Sequence, residues 1–197
     1  CRPENIFVVT SNEHRNLVTD QLEIPPENVL SEPFRRNTAP CLAYGTFSIL
    51  NRNKDAVVVV TPADHLIIKE DKFCEVIRKS FEFVEKNDVL LTLGIQPDRP
   101  ETGYGYIEVG GEGEGVLDVS RFVEKPDLAT AQAYIAAGNF FWNTGIFLFR
   151  ASAMKQAFEQ FRPDIWQAAE AAFKAATSDL SGLYLPLDLY QQVPSTS

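Results

Sequence analysis

The stretch 57–65, Val-Val-Val-Val-Thr-Pro-Ala-Asp-His, constrains the fold of this chain more than any other. Four consecutive β-branched residues predict a strand that is buried on both faces, as in a parallel sheet. Thr61 and Pro62 end this strand, because proline fixes φ and cannot donate to a sheet ladder. Asp64 is therefore expected just past the carboxyl end of a central strand, which is where open α/β sheets bind ligands.

The order of apolar patterns predicts an α/β fold. The first half alternates strands and helices, at 6–10, 38–52, 57–60, 70–86 and 89–93. This order predicts a Rossmann-like, mixed but mainly parallel sheet with right-handed crossovers and helices on both faces. The second half predicts strands at 104–109, 116–124 and 146–149, and helices at 127–137, 152–161 and 164–177. Neither repeats nor a linker is visible, so residues 1–197 are expected to form a single domain.

Composition narrows the classes of partner. The net charge is −9, from 18 Lys and Arg against 27 Asp and Glu, so the surface repels nucleic acid. No apolar run approaches the length of a membrane span, and we expect no membrane association. The three cysteines lack the spacing of a disulfide scaffold or a zinc site. The cytoplasm is the compartment that this cysteine usage favours.

Two interpretations of Asp64 stay open from the residues alone. A carboxylate at this edge of a sheet can bind Mg²⁺ that bridges phosphate oxygens. It can also cap a turn, as acidic residues in loops commonly do. His65 beside it is more typical of a packing histidine than of a catalyst, since no nucleophile for it to serve is apparent.

Glu124-Lys125-Pro126 ends a second strand, after Phe122-Val123. Proline forces the chain out of the sheet, so both charges lie at a strand terminus. The carboxylate can accept hydrogen bonds from sugar hydroxyls, and the ammonium can meet a phosphate as a point charge. The alternative interpretation is a solvated ion pair on the surface.

Glycines accompany polar residues in two further motifs, Thr102-Gly-Tyr-Gly-Tyr106 and Trp142-Asn-Thr-Gly-Ile146. Glycine lets a backbone approach a ligand closely, and a buried amide such as Asn143 needs partners that ligand hydroxyls could supply. The alternative is a turn or a bulge. The stretch 111–115 is no phosphate loop, because its glutamates would repel phosphate.

The segment 32–40, Glu-Pro-Phe-Arg-Arg-Asn-Thr-Ala-Pro, opens a predicted helix with two arginines. Exposed amides at the start of a helix attract anions or polar base edges. The alternative is an ordinary capped start, with Asn37 or Thr38 as the cap.

The five motifs, in this order, closely resemble those of the bacterial mannose-1-phosphate guanylyltransferases, in the sugar-nucleotidyltransferase superfamily. The resemblance runs from the first strand to Val193-Pro-Ser-Thr-Ser197. It implies the nucleotide-diphospho-sugar transferase fold. It also implies that mannose 1-phosphate attacks the α-phosphorus of GTP with Mg²⁺ as cofactor, giving GDP-mannose and pyrophosphate.

The resemblance also implies a role for each matching residue. Asp64 matches the metal ligand and, with Lys125, which matches the contact to the sugar phosphate, forms the catalytic pair. The other matches are the guanine and ribose segment of Arg36, Asn37 and Thr38, and the sugar contacts of Gly105, Glu124, Asn143 and Gly145.

Two parts of the family pattern are absent from these 197 residues. The family opens with a glycine-rich loop and a Pro-Lys-Gln that bind the triphosphate, and it continues into an Ile-Asp-Tyr that supplies a second metal ligand. The fold is therefore expected to be incomplete, and the chain by itself is expected not to turn over. Another sugar or base, a non-catalytic subunit that binds nucleotide sugars, and a homodimer remain open alternatives.

Overall fold

The computed structural model describes residues 1–110, 115–179 and 182–196. These residues form two compact units. The first unit comprises Cys1–Ala56 and Arg150–Ser197, and the second unit comprises Val57–Phe149. Apart from Gly115, the glycine and glutamate stretch at 111–115 lies outside the described residues.

Strands and helices alternate along most of the chain. The strands are β1 (Val8–Ser11), β2 (Val29–Glu32), β3 (Val57–Val60), β4 (Leu90–Ile95), β5 (Tyr106–Gly110), β6 (Asp118–Val123), β7 (Phe140–Arg150), β8 (Thr177–Asp179) and β9 (Gly182–Tyr184). The α-helices are α1 (Arg15–Gln21), α2 (Thr38–Arg52), α3 (Glu70–Lys86), α4 (Leu128–Ala137), α5 (Ala151–Phe161), α6 (Pro163–Lys174) and α7 (Leu187–Tyr190). None of these described helices is long and apolar enough to cross a membrane.

The first unit contains a four-stranded sheet in the order β1-β2-β9-β8. The pairs β1–β2 and β2–β9 are parallel, whereas β8–β9 is antiparallel. Ser11 pairs with Glu32, so β1 and β2 reach the same edge of the sheet together. Helices α2, α5 and α6 pack around Trp166, whose ring stacks on Phe47 at 3.9 Å and on Phe158 at 5.7 Å between centroids.

The second unit contains a five-stranded sheet in the order β3-β7-β5-β6, with β4 paired to β7. The pairs β4–β7, β5–β7 and β5–β6 are antiparallel. The occurrence of both parallel and antiparallel pairs, together with the helices, confirms the mixed α/β class. The expected strands at 6–10 and 57–60 belong to different sheets, as β1 and β3.

Local signals placed several helices correctly. Helices α2 and α3 begin and end at the predicted residues. Helix α4 is also confirmed, because the Asp127 carboxylate accepts a hydrogen bond from the Thr130 amide at 2.8 Å and Gly138 closes the helix at φ 76°. That left-handed conformation is one that glycine adopts without strain.

Strand β3 is less buried than its four valines predict. Each valine is only half-buried. Val57 and Val59 pack against a core of Val84, Ile146 and Leu148. Consecutive β-branched residues therefore identified the strand correctly but overstated its burial.

Strand β7 is 11 residues long, whereas only 146–149 were predicted. Asn143 and Gly145 interrupt its apolar pattern, but a bulge absorbs them. Between the pairs Thr92–Phe147 and Gly94–Asn143, three residues of β7 lie opposite one residue of β4. A bulge of this kind bends a strand and redirects its side chains without ending the pairing.

Two glycines of contrasting surroundings test this packing. In Gly94→Ala, the new Cβ would lie 2.8 Å from Phe141 Cβ, so we expect the free energy of unfolding to fall by about 1–3 kcal/mol. In Gly45→Ala, within α2, the nearest atom would be Val9 Cγ2 at 3.7 Å, so we expect a gain of about 0.5–1 kcal/mol. Urea unfolding of both variants measures this, and equal effects would contradict the packing described at the bulge.

Candidate functional site

The turn that carries Asp64 follows β3 and packs against the bulge of β7. Gly145 has φ 68°, and a Cβ at this position would lie 3.3 Å from Pro62 Cγ. A side chain here would therefore be strained and crowded, which is why glycine fits. Asp64 itself is exposed, and its carboxylate accepts no hydrogen bond from the described residues. That observation gives no support to the interpretation of Asp64 as a turn cap.

The end of β6, the start of β5 and the bulge of β7 converge on Gly105. The backbone N–H of Asn143 donates to the backbone carbonyl of Gly105 at 2.9 Å. A Cβ on Gly105 would lie 3.3 Å from the Val123 carbonyl oxygen and 3.8 Å from Asn143 Cβ. The structure thus brings Gly105 and Asn143 together with the strand end that precedes Glu124.

The bulge is held by its own side chains. Asn143 Oδ1 accepts from the Gly145 amide at 3.0 Å. Thr144 Oγ1 donates to the Leu93 carbonyl at 2.7 Å and accepts from the Ile146 amide at 3.1 Å. Asn143 Nδ2 has no partner within the described part of the chain. This amide group is therefore fixed in position and still has donors to offer.

Glu124 and Lys125 are both exposed. Neither forms an ion pair with any residue that the structure describes. The solvated ion pair that the sequence left open is therefore absent among the described residues. Both charges lie at the end of β6, beside the Gly105 contact.

Among the described residues, Asp64 belongs to no cluster of metal-ligating side chains. Among residues 1–110, 115–179 and 182–196, no group of three or more His, Cys, Asp or Glu could hold a metal. A single exposed carboxylate still fits Mg²⁺, which proteins commonly bind through one or two carboxylates together with substrate phosphates. His65 is exposed, and Cys41 is no nucleophile because burial raises the pKa of its thiol to about 12.

The segment Arg36, Asn37 and Thr38 lies in the first unit, at the start of α2. Asn37 has φ 66° and ψ −166°, and it is the only non-glycine residue with positive φ in the described ranges. This region of backbone space suits glycine and costs another residue about 1–3 kcal/mol. Asn37 occupies the N-cap position of α2, but its Nδ2 donates to Ser195 Oγ at 3.1 Å and makes no cap hydrogen bond.

Arg36 is held by the residues that follow α7. Its guanidinium donates to the Gln191 carbonyl and lies 4.8 Å from the Phe34 ring, while its Nε is buried without a partner among the described residues. The Arg36 carbonyl accepts from the Thr196 amide at 3.2 Å, and the Ala39 amide donates to the Thr196 carbonyl at 3.1 Å. We expected the backbone amides at the start of α2 to be exposed and free to bind a ligand. That expectation is wrong for the Ala39 amide, which is already bonded to Thr196. Thr38 is exposed.

Sequence reasoning missed Tyr190, which binds Glu32 at the head of the motif at 32–40. Tyr190 is fully buried, and its hydroxyl donates to Glu32 Oε1 at 2.5 Å. Burial raises the pKa of Glu32 and outweighs the opposing effect of that hydrogen bond. Glu32 stood at the head of the motif at 32–40, but nothing local indicates that a tyrosine 158 residues away would bind it.

A cavity of about 340 Å³ opens at the carboxyl ends of β1 and β2. Parallel strands present ligand sites at this edge. The cavity is lined by Ser11, Asn12, Glu13, Glu32, Pro33, Phe34 and Arg35. Most of these residues belong to, or directly precede, the segment that contains Arg36.

Comparison with known proteins defines the class of this chain. Residues 2–183 match the family model described as "Nucleotidyl transferase", and the chain belongs to this family. It is 39% identical over 204 residues to a mannose-1-phosphate guanylyltransferase of Escherichia coli K12, covering 98% of this chain and 42% of that protein. It is 40% identical over 194 residues to the xanthan biosynthesis protein XanB of Xanthomonas campestris pv. campestris B100, covering 97% of this chain and 41% of that protein.

Solved structures agree with this assignment. A Thermus thermophilus structure, described as a mannose-1-phosphate geranyltransferase, superposes with a TM-score of 0.83 at 28% identity, over 98% of this chain and 54% of that one. A Helicobacter pylori structure, described as a mannose-6-phosphate isomerase, superposes with a TM-score of 0.79 at 27% identity, over 96% of this chain and 74% of that one. The fold is therefore the one that the resemblance implied. The chain spans about two fifths of the length of the curated relatives it matches.

The burial of Glu32 predicts a pH dependence of stability, because burial raises the pKa of its carboxyl group despite the hydrogen bond from Tyr190. A raised folded-state pKa means that the folded chain keeps a proton which the unfolded chain has lost, so stability falls as pH rises through that window. We expect Glu32→Gln to lack this fall, since glutamine still accepts from Tyr190 but does not ionise. Urea unfolding from acid to neutral pH measures the difference. Exposed Glu27→Gln is the control, and parallel profiles for wild type and Glu32→Gln would contradict the assignment.

Proposed function

We propose that the intact protein transfers GMP from GTP to mannose 1-phosphate, forming GDP-mannose and pyrophosphate with Mg²⁺. The convergence of Gly105, Asn143, Gly145 and the strand end before Glu124 is the observation that carries this proposal. Gly105, the strand end before Glu124, and the pair Asn143 and Gly145 come from three separate stretches of sequence, yet these stretches meet at one bulge. Relatives named as mannose-1-phosphate guanylyltransferases support the choice of substrates.

Nucleotidyl transfer of this kind depends on positioning and on stabilising charge rather than on a covalent intermediate. In this proposal Asp64 holds Mg²⁺, which supplies positive charge to the phosphates when it is bound. The Lys125 ammonium contacts the phosphate of the sugar and orients its oxygen for attack. Both side chains are exposed at strand ends, where a charged substrate can reach them.

The sugar contacts follow from the hydrogen-bonding chemistry of each group. The Glu124 carboxylate accepts from sugar hydroxyls, and the unpaired Asn143 Nδ2 donates to one. Gly105 and Gly145 offer backbone groups rather than side chains to the ring. A Cβ at either position would be crowded by the protein itself, at 3.3 Å from the Val123 carbonyl oxygen and from Pro62 Cγ respectively. These groups together discriminate a hexose by the placement of its hydroxyls.

We assign the guanine and ribose of GTP to Arg36, Asn37 and Thr38. The unpaired Nε of Arg36 and the exposed Thr38 supply hydrogen-bonding groups.

We also propose that residues 1–197 form one nucleotidyltransferase domain of a cytoplasmic enzyme, because nucleoside triphosphates are available in the cytoplasm. Its partners are small anionic substrates, without nucleic acid or membrane, and a homodimer is compatible with this role.

A pyrophosphate-release assay on the intact protein tests the proposal. We expect release to require GTP, mannose 1-phosphate and Mg²⁺ together. Replacing GTP by ATP or dTTP, or mannose 1-phosphate by glucose 1-phosphate, tests for a related transferase. If the protein prefers another nucleoside triphosphate or another sugar 1-phosphate, it is a related transferase that acts on those substrates. Tight binding of a nucleotide sugar without any turnover would instead identify a regulatory subunit.

Asp64→Asn tests the metal ligand. We expect kcat to fall by roughly a hundredfold or more, because an amide binds Mg²⁺ poorly and charge stabilisation by the metal is worth several kcal/mol. The fall should be partly reversed at high Mg²⁺. Asp88→Asn, at another exposed aspartate, is the control. Unchanged Mg²⁺-dependent turnover in Asp64→Asn would show that this carboxylate is not the ligand.

Lys125→Ala tests the contact to the sugar phosphate. Loss of a charge-assisted contact should weaken use of mannose 1-phosphate by about 1.5–3 kcal/mol, while the KM for GTP stays near the wild-type value. Steady-state kinetics with each substrate varied in turn separates the two. Lys54→Ala, at another exposed lysine, should match wild type. An equal change in both KM values would contradict the assigned role.

A further inference from the structure

Residues 191–196, here called the strap, follow α7 in the first unit. The strap is anchored by its own Val193, which is 1% exposed, and by Tyr190, the last residue of α7, which is 0% exposed. Tyr190 also packs edge-on against Tyr44 and donates to Glu32. The backbone of the strap is therefore fixed where it leaves α7, so its later residues can act as a support.

The strap makes four hydrogen bonds to the start of α2. Two are backbone bonds, from the Thr196 amide to the Arg36 carbonyl and from the Ala39 amide to the Thr196 carbonyl, at 3.2 and 3.1 Å. The other two use side chains. Arg36 donates to the Gln191 carbonyl, and Asn37 Nδ2 donates to Ser195 Oγ at 3.1 Å.

These contacts surround the strained residue Asn37. A non-glycine residue at φ 66° and ψ −166° persists only where its surroundings determine its conformation. Arg36 before it and Ala39 after it are both bonded to Thr196, and its own side chain is bonded to Ser195. The strap thus contacts the backbone on both sides of the strained position and the side chain at that position.

The strap also replaces the usual cap of α2. An asparagine at the N-cap normally accepts a hydrogen bond from an amide of the first turn. Here the Asn37 side chain turns away to Ser195, and the Thr196 carbonyl accepts from the Ala39 amide instead. Consequently the conformation of 36–38 is set by a segment more than 150 positions away in the sequence.

We propose that Ser195 is a positioning residue, through which the strap holds Asn37 and Arg36 in the conformation that binds the nucleotide. This inference deepens the proposed function and rests on it. Ser195 does not touch the substrate in this role. Ser195 fixes the Asn37 side chain before the nucleotide binds. Binding therefore does not have to supply the free energy of ordering residues 36–38.

Ser195→Ala in the intact protein tests the proposal. Loss of one hydrogen bond should raise the KM for GTP by about fivefold. The KM for mannose 1-phosphate and the midpoint of thermal unfolding should stay near wild type, because the contact is exposed and confined to this segment. Ser195→Thr, which keeps the hydroxyl, should restore the KM for GTP. Ser120→Ala, at an exposed serine of β6, is the matched control.

A double variant tests whether Ser195 acts through Asn37. Asn37→Gly removes the side chain and suits the positive φ, so adding Ser195→Ala to it should cause no further change in the KM for GTP. Additive effects of the two substitutions would overturn the proposal. So would a Ser195→Ala variant that matches Ser120→Ala, or one that changes both KM values and the unfolding midpoint alike.

Hydrogen exchange separates failure of this inference from failure of the proposed function. In Ser195→Ala without substrates, we expect faster exchange at the Ala39 and Thr196 amides than in Ser120→Ala. If the wild type uses no GTP, the proposed function has failed, and the exchange rates still decide whether Ser195 fixes this segment. Unchanged exchange at both amides would overturn the positioning role in either case.

Discussion

The bulge of β7 is the constraint on which the second unit depends. Strand β7 pairs with β3, β4 and β5, so a change in its course at 143–145 affects three neighbours. Thr144 binds the β4 backbone, Asn143 binds the Gly105 carbonyl, and Gly145 packs against Pro62. The extra residues disrupt the regular ladder locally, and in return they bring the loops after β3 and before β5 to one place.

The first unit uses a different device around Asn37. A strained residue is held by long-range hydrogen bonds, and the strap that makes them is anchored by the buried Tyr190. Strain of this kind costs free energy, and it is commonly found at sites where conformation matters more than stability. Glu32 adds a second cost, since burial opposes its ionised form. Both costs fall on the motif at 32–40, which contains the residues assigned to the nucleotide in the proposed function.

Much of this molecule could be predicted from sequence, and the misses have physical causes. Helices α2, α3 and α4 were correct because periodicity and capping are local signals. The short strands β2, β8 and β9 were missed, since three or four residues carry little periodicity. The predicted strand at 146–149 was too short, because the polar residues of the bulge at 143–145 have the pattern of a strand end. Family membership was visible in the order of motifs, none of which is specific alone.

The sequence by itself determined the α/β class, the bounds of α2, α3 and α4, and the family, because these depend on local periodicity and capping and on motif order. It also named the candidates around the bulge, from Gly105 to Gly145. Only the tertiary structure decided which groups are already paired. It showed that Ser195 binds Asn37 across 158 positions and that Thr196 takes the Ala39 amide. Such contacts depend on how distant segments pack, and no local pattern encodes them.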